Sequence, residues 1–136
     1  MSDLLLVQES TNNHSTSFSH HETAAMQRAV IKLFQHWGLT DSQAYVLLGS
    51  IGKRTYQRWK DGEFGSVKID LATRMSNLMS IHKALRLLFI NAQRGYRWIK
   101  KPNQAFASKS ALDVMLEGQL TDLIRVRSYL DANRGY

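Results

Sequence analysis

From Asp70 to Phe89 the apolar residues Leu71, Met75, Leu78, Ile81, Leu85 and Leu88/Phe89 recur every three or four positions. Only a helix with one face against a core satisfies that spacing over twenty residues, because a strand would need alternation in twos. Asp70 stands at the start of the stretch, where a carboxylate favours the helix dipole. His82 lies beside Ile81 on the same stripe and reads as a packed histidine. Gly95 interrupts the pattern, Tyr96-Arg97-Trp98-Ile99 makes one more turn, and Pro102, the only proline, closes it.

The flanks carry the same period with clear start signals. Ser19-His20-His21-Glu22 fits a capping box, in which the serine oxygen and the glutamate carboxylate each satisfy a free amide. Ala25, Ala29, Val30, Leu33, Phe34 and Trp37 then define one amphipathic helix ending at Gly38. Thr40-Asp41-Ser42-Gln43 opens a second by the same logic, with Ala44, Leu47 and Leu48 inward and Gly49 as its stop. A third runs from Lys53 to Lys60, before Asp61-Gly62. Ser110 can cap a short helix through Leu112, Met115 and Leu116 to Gly118, and the last helix spans about Gln119 to Asp131 with Leu120, Leu123, Ile124, Val126 and Leu130 inward. No alternating strand pattern of useful length occurs, so the fold class is all-α: an N-terminal helix-turn-helix, a long central helix and a small C-terminal helical domain.

Charge divides the chain further. The formal net charge is +7 over 136 residues. Residues 1–52 hold Arg28 and Lys32 against Asp3, Glu9, Glu22 and Asp41, whereas residues 53–101 hold 12 Lys/Arg against Asp61, Glu63 and Asp70 alone. Residues 102–136 balance. A basic middle between neutral flanks is suited to a polyanion or to a solvated surface. The absence of cysteine excludes disulfides, thiolate metal sites and cysteine nucleophiles, and suits a cytoplasmic location. No apolar run is long enough to span a bilayer and the first residues lack a basic n-region, so neither anchor nor signal peptide is expected.

Residues 1–19, rich in Ser, Thr, Asn and His, read as a disordered arm. His14, His20 and His21 lack a carboxylate or cysteine partner at metal-ligand spacing, so no metal site and no cofactor are expected. Residues 20–68 read as the helix-turn-helix region and 69–136 as the C-terminal domain.

Segment 39–62, LTDSQAYVLLGSIGKRTYQRWKDG, contains what a helix-turn-helix needs. Ala44 is the small residue at the crossing, Gly49 the turn glycine, Ile51 a plug between the helices and Trp59 the anchor of the second one. The outer face would then carry Lys53, Arg54, Thr55, Gln57 and Arg58. Arginine grips guanine with two hydrogen bonds, glutamine reads adenine, and threonine and lysine hold phosphates. The segment resembles the helix-turn-helix of Xre-type repressors in its L-T-x-x-x-A…L-G…R-W-x-x-G frame. It departs by one extra residue between Gly49 and Trp59, which leaves the docking register open.

The C-terminal half shows no catalytic set. Histidine is absent beyond residue 82, and Asp113, Glu117, Asp122 and Asp131 lie among basic residues on helix surfaces, so the chain reads as non-enzymatic. Trp98, Pro102, Asn103 and Phe106, then Leu112, Leu116, Glu117 and Gly118, then Val126-Arg127, Tyr129-Leu130 and Gly135 resemble the Xre/MbcA/ParS antitoxin family. Upstream, Gly49, Arg54, Thr55, Arg58, Trp59 and Gly62 fit the family's first domain. The resemblance covers roughly residues 24–136. Ser110-Ala111 departs from the family's frequent Ser-Pro helix start.

The resemblance implies an antitoxin of a type II toxin–antitoxin system: a homodimer that represses its own operon by binding operator DNA. Such proteins pair with a RES-domain toxin that degrades NAD and cover its active-site cleft with the C-terminal segment. Carried onto this chain, the toxin-binding residues are Arg125, Tyr129, Asn133, Arg134, Gly135 and Tyr136. From the residues alone, Tyr129 and Tyr136 could instead finish the core. The competing function is a stand-alone helix-turn-helix repressor whose C-terminal domain only dimerises.

Overall fold

The computed structural model describes residues 18–134; the expected arm (1–19, apart from its last two residues), His14, and the candidate contacts Gly135 and Tyr136 lie outside the described residues. Within them the chain forms seven α-helices: α1 (His20–Trp37), α2 (Asp41–Leu47), α3 (Lys53–Lys60), α4 (Ile69–Leu88), α5 (Ala92–Trp98), α6 (Ala111–Met115) and α7 (Leu120–Asn133). One turn of 3₁₀ helix, Gln104–Phe106, lies between α5 and α6. There is no strand among the described residues, only an isolated bridge between Pro102 and Ser110.

α4 is the spine, packed chiefly against α7 on one side and α1 on the other. Its Met75, Leu78, Ile81 and Ala84 are fully buried, as are Val30 of α1 and Leu123 and Val126 of α7. At roughly 1.5–3 kcal/mol for each large apolar side chain removed from water, this single continuous core ties both halves of the sequence together. α3 rests on α1, and α5 closes against α4.

The starts of these helices are local in origin. Ser19 accepts from the Glu22 amide and Glu22 from the Ser19 amide, both at 3.1 Å. Thr40 and Gln43 repeat the box at 3.1 and 3.0 Å. Ser110 and Asp113 form a third, shielding donors that would otherwise be orphaned at the helix ends.

The turn between α2 and α3 absorbs its extra residue through two successive left-handed positions, Gly49 at φ +79° and Ser50 at φ +65°. The Gly49 amide donates to Val46 O at 3.0 Å and the Ser50 amide to Tyr45 O at 2.7 Å, so the last carbonyls of α2 are satisfied while the chain reverses. Ile51 is half-buried against the core, as a plug would be.

Three sequence expectations are corrected. The chain does not break at Gly95, which is buried inside α5; it breaks at Phe89–Asn91, where the Asn91 side chain accepts from the amides of Gln93 and Arg94 and starts a new helix. Ile124 is 41% exposed rather than inward. On α7 the fully buried positions are Leu123, Val126 and Leu130, and Ile124 lies one residue, about 100° of rotation, away from Leu123. Ala25 is exposed too; the inner positions of the first turns of α1 are the polar Thr23 and Gln27.

Candidate nucleic-acid and partner interfaces

α3 is eight residues long, and its two faces differ completely. Tyr56 and Trp59, three residues apart, are each only 4% exposed and seat the helix on the core. Lys53, Arg54, Thr55, Gln57 and Arg58 are all exposed, so the five residues read from sequence share one outward surface. Lys53, Arg54, Gln57 and Arg58, with Asp61, line one shallow open groove. Gln57 Nε2 donates to Asp61 Oδ1 at 3.3 Å, which steadies its amide. Lys60 turns away from this face: its ammonium lies 2.7 Å from Asp41 Oδ1 and 5.0 Å from the centre of the Tyr56 ring.

The seat of α3 is partly polar. Gln27 is fully buried on α1; with its amide oriented to satisfy both ends, its oxygen accepts from Trp59 Nε1 at 3.1 Å and its nitrogen donates to Thr23 O at 3.0 Å. Tyr45 meets Tyr56 edge to face, with centroids 5.7 Å apart. Burial, then the nearby charges of Asp41 and Tyr45, push the Tyr56 hydroxyl up to about 12. It stays neutral under any ordinary condition. Sequence reasoning named Trp59 but missed Tyr56 and Gln27. The three-residue spacing from Tyr56 to Trp59 was the available signal for the first; nothing local marks the second.

The turn at the end of α2 is braced against the C-terminal half by one side chain. Arg74 of α4 donates through Nη2 to Gly118 O at 2.9 Å. Its Nε sits 2.8 Å from where a Cβ on Gly49 would lie, so that glycine is required by contact as well as by its backbone. A Cβ on Gly118, itself at φ +94°, would face Val46 Cγ1 at 3.7 Å. One turn further along α4, buried Asn77 accepts from Arg127 Nη1 at 3.1 Å and donates to Thr73 O. His82 is half-buried. Burial, and then the charges of Arg86 and His36, hold its pKa below the usual histidine value, in keeping with its half-packed place on α4.

The C-terminal candidates separate by environment. Tyr129 is half-buried, stacked on Trp98 with centroids 6.1 Å apart and meeting Phe106 edge-on at 5.0 Å. It finishes the core while keeping one side accessible. The Arg125 guanidinium lies over the other aromatic, 5.3 Å from the Phe106 centroid, and is exposed. Asn133 is exposed and donates to Tyr129 O at 2.8 Å. Arg134 reaches Asp131 at 3.3 Å. The carboxylates seen in the sequence are similarly occupied: Glu117 meets Lys109 at 2.8 Å, and Asp131 lies between Arg127 and Arg134. No group of three or more metal-ligating side chains occurs among the described residues, and no described helix is long and apolar enough to cross a membrane.

A short helix seated by aromatic side chains, with a basic and amide-bearing outer face and a glycine turn before it, defines a helix-turn-helix protein with an appended helical domain. Residues 20–80 match the antitoxin Xre-like helix-turn-helix domain, and residues 84–135 match the antitoxin Xre/MbcA/ParS C-terminal toxin-binding domain. The chain is also 39% identical over 127 residues to the uncharacterised protein y4oB of Sinorhizobium fredii, covering 93% of this chain and 98% of that protein. It belongs to the Xre/MbcA/ParS antitoxin family. The two matches meet inside α4, the helix that both halves share as their core.

Proposed function

We propose that the chain is the antitoxin of a type II toxin–antitoxin pair. It binds operator DNA through Lys53, Arg54, Thr55, Gln57 and Arg58 to repress its own operon, acting as a homodimer. It neutralises a RES-type, NAD-degrading toxin by covering the active site with its C-terminal segment. In this reading residues 20–68 form the DNA-binding region. Residues 69–136 serve dimerisation and toxin binding, with Arg125, Tyr129, Asn133, Arg134, Gly135 and Tyr136 as contacts. The observation that carries it is the two-faced α3, whose exposed side holds only groups suited to phosphates and base edges, in a chain whose second half matches a toxin-binding domain.

The DNA half of the reading is tested by binding to the sequence upstream of the gene. Arg54→Ala and Arg58→Ala should each weaken binding by about 1–3 kcal/mol if the lost contact is to a base. The wild-type affinity should fall steeply with salt. An affinity indifferent to salt, or unchanged in both variants, rules out this face.

The toxin half is tested by co-expression with the product of the adjacent gene, comparing the full chain with one ending at Asp131. Growth rescued by the full chain alone places the inhibitory contact after Asp131. Rescue by both moves it to the folded surface, and rescue by neither removes the antitoxin reading for that pair.

A further inference from the structure

Residues 71–112 contain eight Lys/Arg and not one Asp or Glu. Arg74 is spent on Gly118 and Lys109 on Glu117. Lys83, Arg86, Arg94 and Arg97 are exposed and have no ion-pair partner among the described residues. The same corner of the fold, where α4 hands over to α5, exposes apolar surface that the core does not use. Ile90, in the break between the two helices, is 108% exposed, and Leu87 is 60% exposed. They are two of the four large hydrophobics left in water among the described residues. Nearby, Leu88 and Phe89 continue into a groove with Trp98, Tyr129, Leu130 and Asn133, with an open volume of about 190 Å³.

A single exposed isoleucine is ordinary. Ile90 together with Leu87, flanking the groove residues Leu88 and Phe89 in the chain and accompanied on α4 and α5 by four cations without an ion-pair partner, forms a surface with the composition of an interface: apolar side chains and positive charge. A second copy of the chain is a poor occupant, because a two-fold contact here would set like charges against each other. Duplex DNA would satisfy the cations but offers no apolar partner for Ile90 and Leu87 outside a wedged base step. A protein surface with an apolar pocket inside an acidic rim satisfies both.

We propose that the α4–α5 corner, centred on Ile90 and Leu87 and edged by Arg86, Arg94 and Arg97, docks an acidic-rimmed apolar surface of the toxin. This contact is centred outside the proposed C-terminal contacts and adjoins them through the groove at Tyr129 and Asn133. The proposal rests on the antitoxin reading.

The test uses the purified full chain and the purified product of the adjacent gene, with affinity measured by calorimetry. Ile90→Glu should weaken the complex by about 30-fold or more, the scale of an interface hot spot. Arg94→Glu should weaken it and flatten its salt dependence. Neither change touches the core, and Ile90→Ser provides the same reading without a new charge should the glutamate variant melt early. Affinity for the upstream DNA and the oligomeric state should stay as in wild type. Wild-type toxin affinity retained in Ile90→Glu and Ile90→Ser overturns the docking corner while leaving the antitoxin reading intact. Loss of DNA binding or of self-association in place of toxin binding also overturns it, assigning the corner to DNA or to a second copy. A wild-type chain that does not bind the adjacent product at all brings down the antitoxin reading and the docking corner together.

Discussion

Trp59→Ala will lower the stability of the whole fold by about 3–5 kcal/mol, measured by urea denaturation, the usual range for emptying a buried tryptophan site. The value should lie toward the upper end, because two losses coincide. The indole is 4% exposed and packs beside Tyr56, so its removal leaves a void among large neighbours that α3, held on both sides by turns, cannot collapse to fill. It also strips Gln27, fully buried on α1, of the donor at 3.1 Å. A buried amide oxygen left without a partner costs about 1–3 kcal/mol. Trp59→Phe separates the two, since it keeps most of the packing and loses the donor, and should cost less than half as much. Because one core runs through both halves of the described residues, the loss should appear as a single shifted transition with an unchanged slope. A biphasic curve, with α5–α7 melting separately, would show that the halves unfold independently and that the shared α4 core does not couple them.

The features legible in the sequence were those encoded within a few residues. The capping boxes at Ser19 and Thr40 each complete themselves inside four positions, and α3 was bounded correctly at Lys53 and Lys60 because Gly52 and Asp61-Gly62 bracket it. The five outer residues of α3 followed from those bounds and from Trp59 facing in. Where reading failed, a local propensity was trusted against a packing fact. Gly95 looked like a stop because glycine is a weak helix former, yet its backbone is ordinary helix and a Cβ there would meet Phe89 Cδ2 at a comfortable 3.5 Å. Asn91, four residues earlier, carried the true boundary as a helix cap. What no window could reveal were the polar links between distant segments: Gln27 to Trp59, Arg74 to Gly118 and Asn77 to Arg127, the last two spanning 44 and 50 positions. These links join segments that lie far apart in the sequence. They use residue types that, read in one dimension, belong on the surface. The apolar corner at Leu87 and Ile90 was not legible either, because both fall off the helical stripe and only the fold shows them standing together in water.

Gly49→Val should cost about 2–4 kcal/mol and reduce DNA affinity, though no atom of Gly49 lies on the outer face of α3. At φ +79° an L-residue loses about 1–2 kcal/mol, and a β-branched one is worse placed still. The second part of the cost comes from α4. A Cβ at this position would approach Arg74 to 2.8 Å at Nε and 3.2 Å at Cδ and Cζ, in and next to the guanidinium that Gly118 O holds. Arg74 cannot yield there while keeping its 2.9 Å hydrogen bond to Gly118 O, so the substitution breaks the brace between the α2–α3 turn and the C-terminal half. A double-mutant cycle isolates that part. In an Arg74→Ala background the clash and the bond are both absent, and Gly49→Ala should retain only its backbone cost. In the wild-type background it should cost more, the difference being a coupling of about 0.5–3 kcal/mol. Additive effects would mean that Arg74 swings aside freely and braces nothing. A measured coupling would instead show that the turn leading into α3 is held by a cation on the central helix, which ties the exposed basic face of α3 to the half of the chain that matches a toxin-binding domain.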